Sequence, residues 1–168
     1  MFAALQEAEK ALEENEIPVG AVVVKDNKII GRGYNQVERL KDATAHAEMI
    51  ALTAAANNIG NWRLNNCSIY VTLEPCIMCT GAMLASRIEE LYFAAFDQKF
   101  GACGSLYNLA EDGKTNHKIT HREAEPGNRQ SFSGCFHRCR CLSCGGRNCF
   151  RTGSRAAIGR PFDFYRAG

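Results

Sequence analysis

His46-Ala47-Glu48, followed further along the chain by Pro75-Cys76-Ile77-Met78-Cys79, is the most informative part of this sequence. One imidazole and two thiolates suit Zn²⁺, and a set of three protein ligands leaves the fourth tetrahedral position open, as in catalytic zinc sites. Glu48 is two residues from His46, where a carboxylate can exchange protons with a zinc-bound water without being a ligand. The two segments therefore predict one catalytic zinc ion per chain, with His46, Cys76 and Cys79 as its ligands.

Each segment alone has a more ordinary explanation. A helical histidine is often simply solvated, and a Cys-x-x-Cys pair is also typical of thiol redox proteins. Both segments in this order favour the metal site over those alternatives. His-x-Glu followed by Pro-Cys-x-x-Cys is the pattern of zinc-dependent nucleobase deaminases, so the pattern predicts hydrolytic deamination.

The composition is that of a globular protein with one domain. The 168 residues are 46% hydrophobic and 23% charged, which is ordinary for a folded domain. Charged residues follow Met1 too closely for a signal peptide, and no apolar stretch has the length of a membrane-spanning helix. We therefore expect a cytoplasmic protein without a membrane partner, in a compartment where free thiols and metal sites outnumber disulfides.

The charge balance changes near Ile119. Residues 1–119 contain 11 Lys and Arg against 15 Asp and Glu, whereas residues 120–168 contain 9 Arg, no Lys and 3 acidic residues. Five of the nine cysteines also lie in the second part. We therefore divide the chain into a zinc deaminase domain at 1–119 and a tail at 120–168 that is rich in Arg, Cys and Gly.

Hydrophobic periodicity predicts helices alternating with strands in the first part. Helices are expected from Phe2 to near Glu16, at 45–56 and from Pro75 to about Ser86, and strands at 19–24, 29–34, 68–72 and 90–96. This alternation is typical of a layered α/β domain. It places His46 and Glu48 in the first turn of one helix, and both cysteines at the start of another. Backbone N–H groups at a helix N-terminus lower the pKa of a thiol and so favour metal binding.

With these segments in hand, the chain resembles the cytidine-deaminase-like superfamily, and within it most closely the bacterial deaminases that make inosine at the tRNA wobble position. The resemblance runs from the first helix to about Lys118. Beyond the zinc segments it is carried by Ile17-Pro18-Val19-Gly20-Ala21-Val22, Asp97-Gln98-Lys99-Phe100-Gly101, Gly104-Ser105-Leu106 and Asn116-His117-Lys118. It implies a three-layer α/β/α domain with a mixed sheet. The sequence departs from the family after Lys118, where relatives have a last strand and a long C-terminal helix.

The resemblance also implies roles for single residues. His46, Cys76 and Cys79 are implied as zinc ligands, and Glu48 as the group that moves protons. Four further residues are implied to bind the substrate: Asn35 at the target purine, Asp97 and Lys99 beside the flanking nucleotides, and His117 near the site. Each of these four has an ordinary alternative as a strand end, a solvated loop charge or a surface histidine.

The implied substrate is the tRNA anticodon stem-loop, and the implied assembly is a homodimer in which two chains build each RNA site. An adenine inside a base stack cannot reach the zinc, which favours a single-stranded loop with a splayed base. The net negative charge of residues 1–119 does not by itself indicate nucleic-acid binding. Two other functions stay open: deamination of a free base or nucleoside such as guanine or cytosine, and an inactive relic that binds metal or RNA.

Residues 120–168 do not continue the family pattern. Ile119-Thr120-His121-Arg122-Glu123 begins like a strand, but 126–168 show no helical period and contain several Pro and Gly breaks. Three interpretations compete. The cysteines between Cys135 and Cys149 would form a second metal site, the nine arginines would form an RNA-binding arm, or the segment is a disordered tail translated in a shifted reading frame.

Overall fold

A mixed five-stranded sheet organises residues 1–123, which are the residues that the computed structural model describes. Strand β1 is antiparallel to β2 and β3, while β4 is parallel to β3 and β5, in the order β2-β1-β3-β4-β5. The elements are α1 (Phe2–Glu13), β1 (Gly20–Lys25), β2 (Lys28–Tyr34), α2 (Val37–Leu40), α3 (Ala47–Ile59), β3 (Cys67–Val71), α4 (Ile77–Ser86), β4 (Glu90–Phe93) and β5 (Thr120–Glu123).

Helices α1 and α3 pack on opposite faces of the β1–β2 hairpin. Gly20 in β1 faces α1, because a Cβ at this position would overlap the backbone of Ala4 and Ala8. Gly31 and Gly33 in β2 face α3 for the same reason. Helix α4 connects β3 to the parallel strand β4 and contacts α3. The predicted three-layer α/β/α domain with a mixed sheet is therefore confirmed.

The core lies between the sheet and the layer formed by α3 and α4. Residues of β3 and β4 that point to this side are fully or almost fully buried, among them Ile69, Val71, Leu91 and Phe93. On the helix side the packing surface of α3 is made of small residues, since Ala47, Ala51 and Ala55 have no exposed surface. Small side chains on α3 and glycines on β2 let the two backbones approach closely. The position of the N-terminal end of α3 is thereby fixed against the sheet.

Both helices that carry the predicted ligands begin two residues later than the pattern suggested. Helix α3 starts at Ala47 and His46 is its N-cap, with extended backbone, rather than part of the first turn. Helix α4 starts at Ile77 with Cys76 as its N-cap, and Pro75 precedes the cap instead of occupying the first turn. The His46 and Cys76 side chains therefore leave the chain just outside their helices.

Other element ends also differ from the prediction. Helix α1 ends at Glu13 rather than near Glu16, and the chain closes there with the Glu16 N–H donating to the Ala11 carbonyl. Strand β4 ends at Phe93 rather than 96, because the next residues turn and the Ala95 carbonyl accepts the Glu74 N–H. The short helix α2 was not predicted.

The strand start predicted at 119–123 is present. Strand β5 pairs with all four residues of β4, so the sheet extends beyond Ile119 to Glu123. The C-terminal helix of relatives and the three interpretations of the Arg- and Cys-rich tail fall on residues 124–168, which lie outside the described residues. Across residues 1–123, none of the helices is both long enough and apolar enough to cross a bilayer.

We expect Gly33→Ala to destabilise the fold by about 1–3 kcal/mol, the usual cost of overpacking, and to lower zinc retention. The added methyl would overlap the Ala47 carbonyl, which lies next to His46. Gly81→Ala is the matched control, since a Cβ there meets no atom within 4 Å and alanine is the better helix former. Thermal melting and metal analysis check both variants. Equal melting temperatures for Gly33→Ala and wild type would contradict the close packing of α3 on β2.

Candidate active site

His46, Cys76 and Cys79 meet where the N-termini of α3 and α4 come together. The Nδ1 atom of His46 lies 3.8 Å from Cys76 Sγ and 3.5 Å from Cys79 Sγ, and all three donor atoms lie within 4.8 Å of one another. Two donors on one tetrahedral zinc ion, at the usual Zn–N and Zn–S lengths, are about 3.6 Å apart. The donor set and its spacing thus fit a single zinc ion, with Nδ1 as the imidazole ligand.

The two cysteines differ in protonation although they belong to one turn of chain. The pKa of Cys76 is lowered to about 4, chiefly because the Cys79 thiol donates a hydrogen bond to its thiolate, with His46 helping. The pKa of Cys79 is raised, because its proton is held by that same hydrogen bond and because the thiol is buried. One thiolate is therefore present before a metal binds, and metal binding releases the proton of the second thiol.

Glu48 follows His46 by two residues and is only 4% exposed, in the first turn of α3. Burial raises the pKa of Glu48 to about 7, and the side chain also contacts the Cys79 thiol. A carboxyl whose pKa lies near the working pH can both accept and donate a proton. The site therefore combines a metal-binding cluster with an acid/base group.

Asn35 follows β2 directly and lies beside the entry to α3. The N–H of the next residue, Gln36, donates to the carbonyl of Ala45, which precedes His46. The Asn35 side-chain nitrogen donates to Glu16 Oε2 at 3.0 Å, and Glu16 Oε1 accepts the Arg39 N–H at 2.8 Å. Glu16 thus orients the Asn35 amide, so that the amide nitrogen faces α2 and the C-terminal end of α1.

Asp97 and Lys99 lie in a loop at 97–105 that packs on the segment carrying Cys76. Within the loop, Asp97 Oδ1 accepts the N–H of Lys99 at 2.8 Å and that of Phe100 at 3.2 Å. Gly101 forms an isolated antiparallel bridge with Cys76, and the Ala102 N–H donates to the Pro75 carbonyl. The structure therefore brings this loop to the segment that carries Cys76.

His117 is not brought to the same place. Its Nε2 atom lies 2.6 Å from the carbonyl oxygen of Ile88, which follows the C-terminal end of α4. Cys76 lies at the N-terminal end of that helix, and ten residues of α-helix span about 15 Å. The contact of His117 with Ile88 links its own segment to the residues after α4, so His117 is not part of the proposed site.

Two buried carboxylates beside the site were not assigned from the sequence: Glu16, described above, and Glu74, which is 3% exposed. Glu74 follows the buried strand β3 and immediately precedes Pro75-Cys76. A charged residue so soon after a strand with buried positions was the available clue, because a buried carboxylate requires hydrogen-bond donors. Its donors are distant in sequence, so the pattern alone could not identify them.

We expect Cys76 to be alkylated selectively in the metal-free protein at pH 6. Its pKa of about 4 keeps it a thiolate well below neutrality, whereas burial raises the pKa of Cys103 to about 11 and also raises that of Cys67. Peptide mass mapping after a brief iodoacetamide treatment measures the modification at each cysteine of residues 1–123. Zinc should protect Cys76, and equal labelling of Cys76 and Cys67 at pH 6 would refute the thiolate assignment.

Comparisons with known proteins agree with this site. Residues 1–95 match the family model described as the cytidine and deoxycytidylate deaminase zinc-binding region. The tRNA-specific adenosine deaminase of Aquifex aeolicus (strain VF5) is 47% identical over 116 residues, which are 69% of this chain and 77% of the relative.

Solved structures show the same likeness. One from a study of A-to-I editing by tRNA:A34 deaminases at the wobble position of transfer RNA has a TM-score of 0.71 and 40% identity, over 74% of this chain and 95% of that one. The X-ray structure of guanine deaminase from Bacillus subtilis has a TM-score of 0.56 and 29% identity, over 82% of this chain and 89% of that one. The cofactor is zinc, one ion per chain. The chain therefore belongs to the zinc-binding cytidine and deoxycytidylate deaminase family of C–N hydrolases and, within it, to the tRNA-specific adenosine deaminases.

Proposed function

We propose that this protein converts adenosine to inosine in tRNA, at the wobble position of the anticodon, by zinc-dependent hydrolysis. His46, Cys76 and Cys79 hold the ion, and Glu48 is the catalytic acid/base. The observation that carries the proposal is the buried Glu48 carboxyl beside three donors spaced for one zinc ion. The choice of tRNA is supported by relatives of that specificity, whose similarity covers 69% and 74% of this chain.

The reaction adds one water to the base and releases ammonia. When bound, zinc is a Lewis acid that lowers the pKa of a water ligand and so supplies a nucleophile near neutral pH. Glu48 would accept one proton of the attacking water and deliver it to the purine N1, so that C6 becomes electrophilic and the water oxygen bonds to it. The same carboxyl would then take the second proton from that oxygen and give it to the exocyclic nitrogen, which departs as ammonia when its bond to C6 breaks and leaves a carbonyl at C6. A pKa of about 7 suits Glu48 to both directions of transfer.

In this proposal Asn35 hydrogen-bonds the target purine, and the 97–105 loop, with Asp97 and Lys99, binds the flanking nucleotides. Two contacts support it. The Gln36–Ala45 hydrogen bond keeps the residue after Asn35 beside the residue before His46. The Gly101–Cys76 bridge keeps the loop beside the other side of the metal cluster. A splayed base would thus enter between Asn35, which contacts the purine, and the 97–105 loop, which binds the flanking nucleotides.

We further propose that the protein works in the cytoplasm as a homodimer. A groove beside His46 supports the dimer, since it is open, runs along α3 and is lined mostly by apolar and small residues: Leu40, Asp42, Thr44, Ala45, Met49, Ile50, Thr53, Ala54 and Asn57. A second chain in this groove would lie next to the zinc ligands and could complete the RNA site. The cytoplasmic location follows from the proposed tRNA substrate.

Glu48→Ala is expected to keep the fold and one zinc ion per chain and to lose turnover by about 10²–10⁴-fold, the usual contribution of a general acid/base. Inosine formation and metal content are measured on the same sample. Glu13→Ala, an exposed carboxylate at the end of α1 on the other face of the sheet, is the matched control and should retain both. Wild-type turnover in zinc-loaded Glu48→Ala would remove Glu48 from the mechanism.

Substrate identity is tested by offering zinc-loaded protein an anticodon stem-loop with adenosine at the wobble position, and free adenosine, guanine and cytosine. We expect inosine in the stem-loop and no conversion of the free compounds, because only the stem-loop presents flanking nucleotides to the 97–105 loop. Deamination of guanine alone would favour the second candidate, which the likeness to the Bacillus subtilis guanine deaminase supports. No conversion of any compound by zinc-loaded protein would favour an inactive relic.

A further inference from the structure

We infer that Glu74 is a positioning residue that fixes the 97–105 loop to the turn carrying Cys76 and so controls the binding of the nucleotides that flank the target. The inference rests on the proposed function, because the role of the loop in RNA binding is part of that proposal. It concerns a side chain that touches neither the metal donors nor the acid/base group through any hydrogen bond of the described chain.

Among residues 1–123, every hydrogen-bond donor to the Glu74 carboxylate comes from the loop. Its Oε2 accepts the Asp97 N–H at 3.0 Å and the Ser105 hydroxyl, and its Oε1 accepts the N–H groups of Cys103 at 2.9 Å and Ser105 at 3.0 Å. These donors come from both ends of the loop, so the Glu74 side chain holds the two ends together. Hydrogen bonds to a charged acceptor are stronger than those between neutral groups.

The backbone around Glu74 ties the same loop to the metal-binding turn. The Ala102 N–H donates to the Pro75 carbonyl at 2.9 Å, and Gly101 bridges to Cys76. The loop is therefore held on one side by the Glu74 carboxylate and on the other by the backbone of the next two residues. A shift of the carboxylate would move Asp97 and Lys99 relative to the zinc cluster.

Gly101 is the counterpart of Glu74 in this arrangement. A Cβ at position 101 would overlap the Glu74 carboxylate and the Asp97 carbonyl. The backbone at Gly101 does not have the positive φ that other residues avoid, so the requirement for glycine is one of space. Gly101→Ala should therefore displace the carboxylate without removing it, which provides a second and independent way to break the same contact.

The metal ligands are held by other contacts. His46 and Cys76 cap helices that pack on the sheet and on each other, and the first turn of α4 is closed by the Thr80 N–H donating to the Cys76 carbonyl. Loss of the Glu74 anchor should therefore leave zinc binding and the chemical step largely intact. The effect is expected on substrate binding, which depends on where the loop presents Asp97 and Lys99.

The test compares Glu74→Gln and Gly101→Ala with wild type, using the anticodon stem-loop, steady-state kinetics and metal analysis. Glutamine keeps the shape but replaces one acceptor oxygen with an N–H donor that faces other donors. Loss of one charged hydrogen bond corresponds to about tenfold or more, so we expect KM to rise by at least that factor in both variants. Turnover at saturation should stay within about threefold, with one zinc ion per chain. Glu89→Gln is the matched control, since the Glu89 carboxylate accepts the Asn66 N–H at the opposite end of β3, and this substitution should change neither parameter.

A merely structural role gives a different result. Partial unfolding reduces the fraction of active protein, so kcat and zinc content would fall together while KM stayed constant, and this pattern would overturn the inference. Amide hydrogen exchange of the metal-loaded protein adds a measurement that needs no substrate. Faster exchange at Asp97, Cys103 and Ser105, with α3 unchanged, is expected for Glu74→Gln, and unchanged exchange in the loop would refute the anchor. If wild type makes no inosine, the proposed function fails, and with it the role in RNA binding, while the exchange data still decide whether Glu74 holds the loop.

Discussion

The close approach of α3 to β2 is the constraint on which the metal site depends. His46 makes no side-chain capping hydrogen bond, so its position follows from the helix that begins beside it. That helix is placed by Ala47, Ala51 and Ala55 lying against strand positions without side chains. A larger residue in this contact would move the imidazole away from thiolates that now lie 3.5 and 3.8 Å from it. Packing in the core therefore sets the distances of the chemistry.

Neighbouring groups in the packed site have pKa values that are shifted in opposite directions. Burial raises the pKa of Glu48 to about 7, so its neutral and charged forms are both accessible near neutrality. Cys76 lies close by, yet a hydrogen bond from Cys79 lowers its pKa to about 4. Desolvation dominates at the carboxyl, and hydrogen bonding to the charged form dominates at the thiol. Opposite shifts in one small site are what a mechanism with a separate proton carrier and metal ligand requires.

The sequence was most informative where chemistry depends on residue type and short spacing. The His46, Cys76 and Cys79 cluster and the layered sheet could be predicted because ligand identity and hydrophobic period are local properties, while the role of Glu48 stays a prediction. Glu16 and Glu74 could not be predicted, since their importance comes from donors nineteen or more residues away along the chain. His117 was assigned by resemblance alone, and its bond to Ile88 depends on how the chain folds back after the α4 region. The observed helix ends differ from the predicted ones for a similar reason, because helix caps are set by three-dimensional contacts.

The charge balance of residues 1–119 shows that composition does not tell where in the fold the charged groups lie. Residues 1–119 have more acidic than basic residues, which is unexpected for a domain that would bind a polyanion. Several of those carboxylates are internal: Glu7 pairs with Lys10 and Arg32, and Glu16, Glu48 and Glu74 are buried. Buried carboxylates do not meet phosphate groups directly, and two of them hold the segments proposed to bind the substrate. The acidic excess thus partly reflects how the site is constructed, so a count of charges is a poor guide to what its surface can bind.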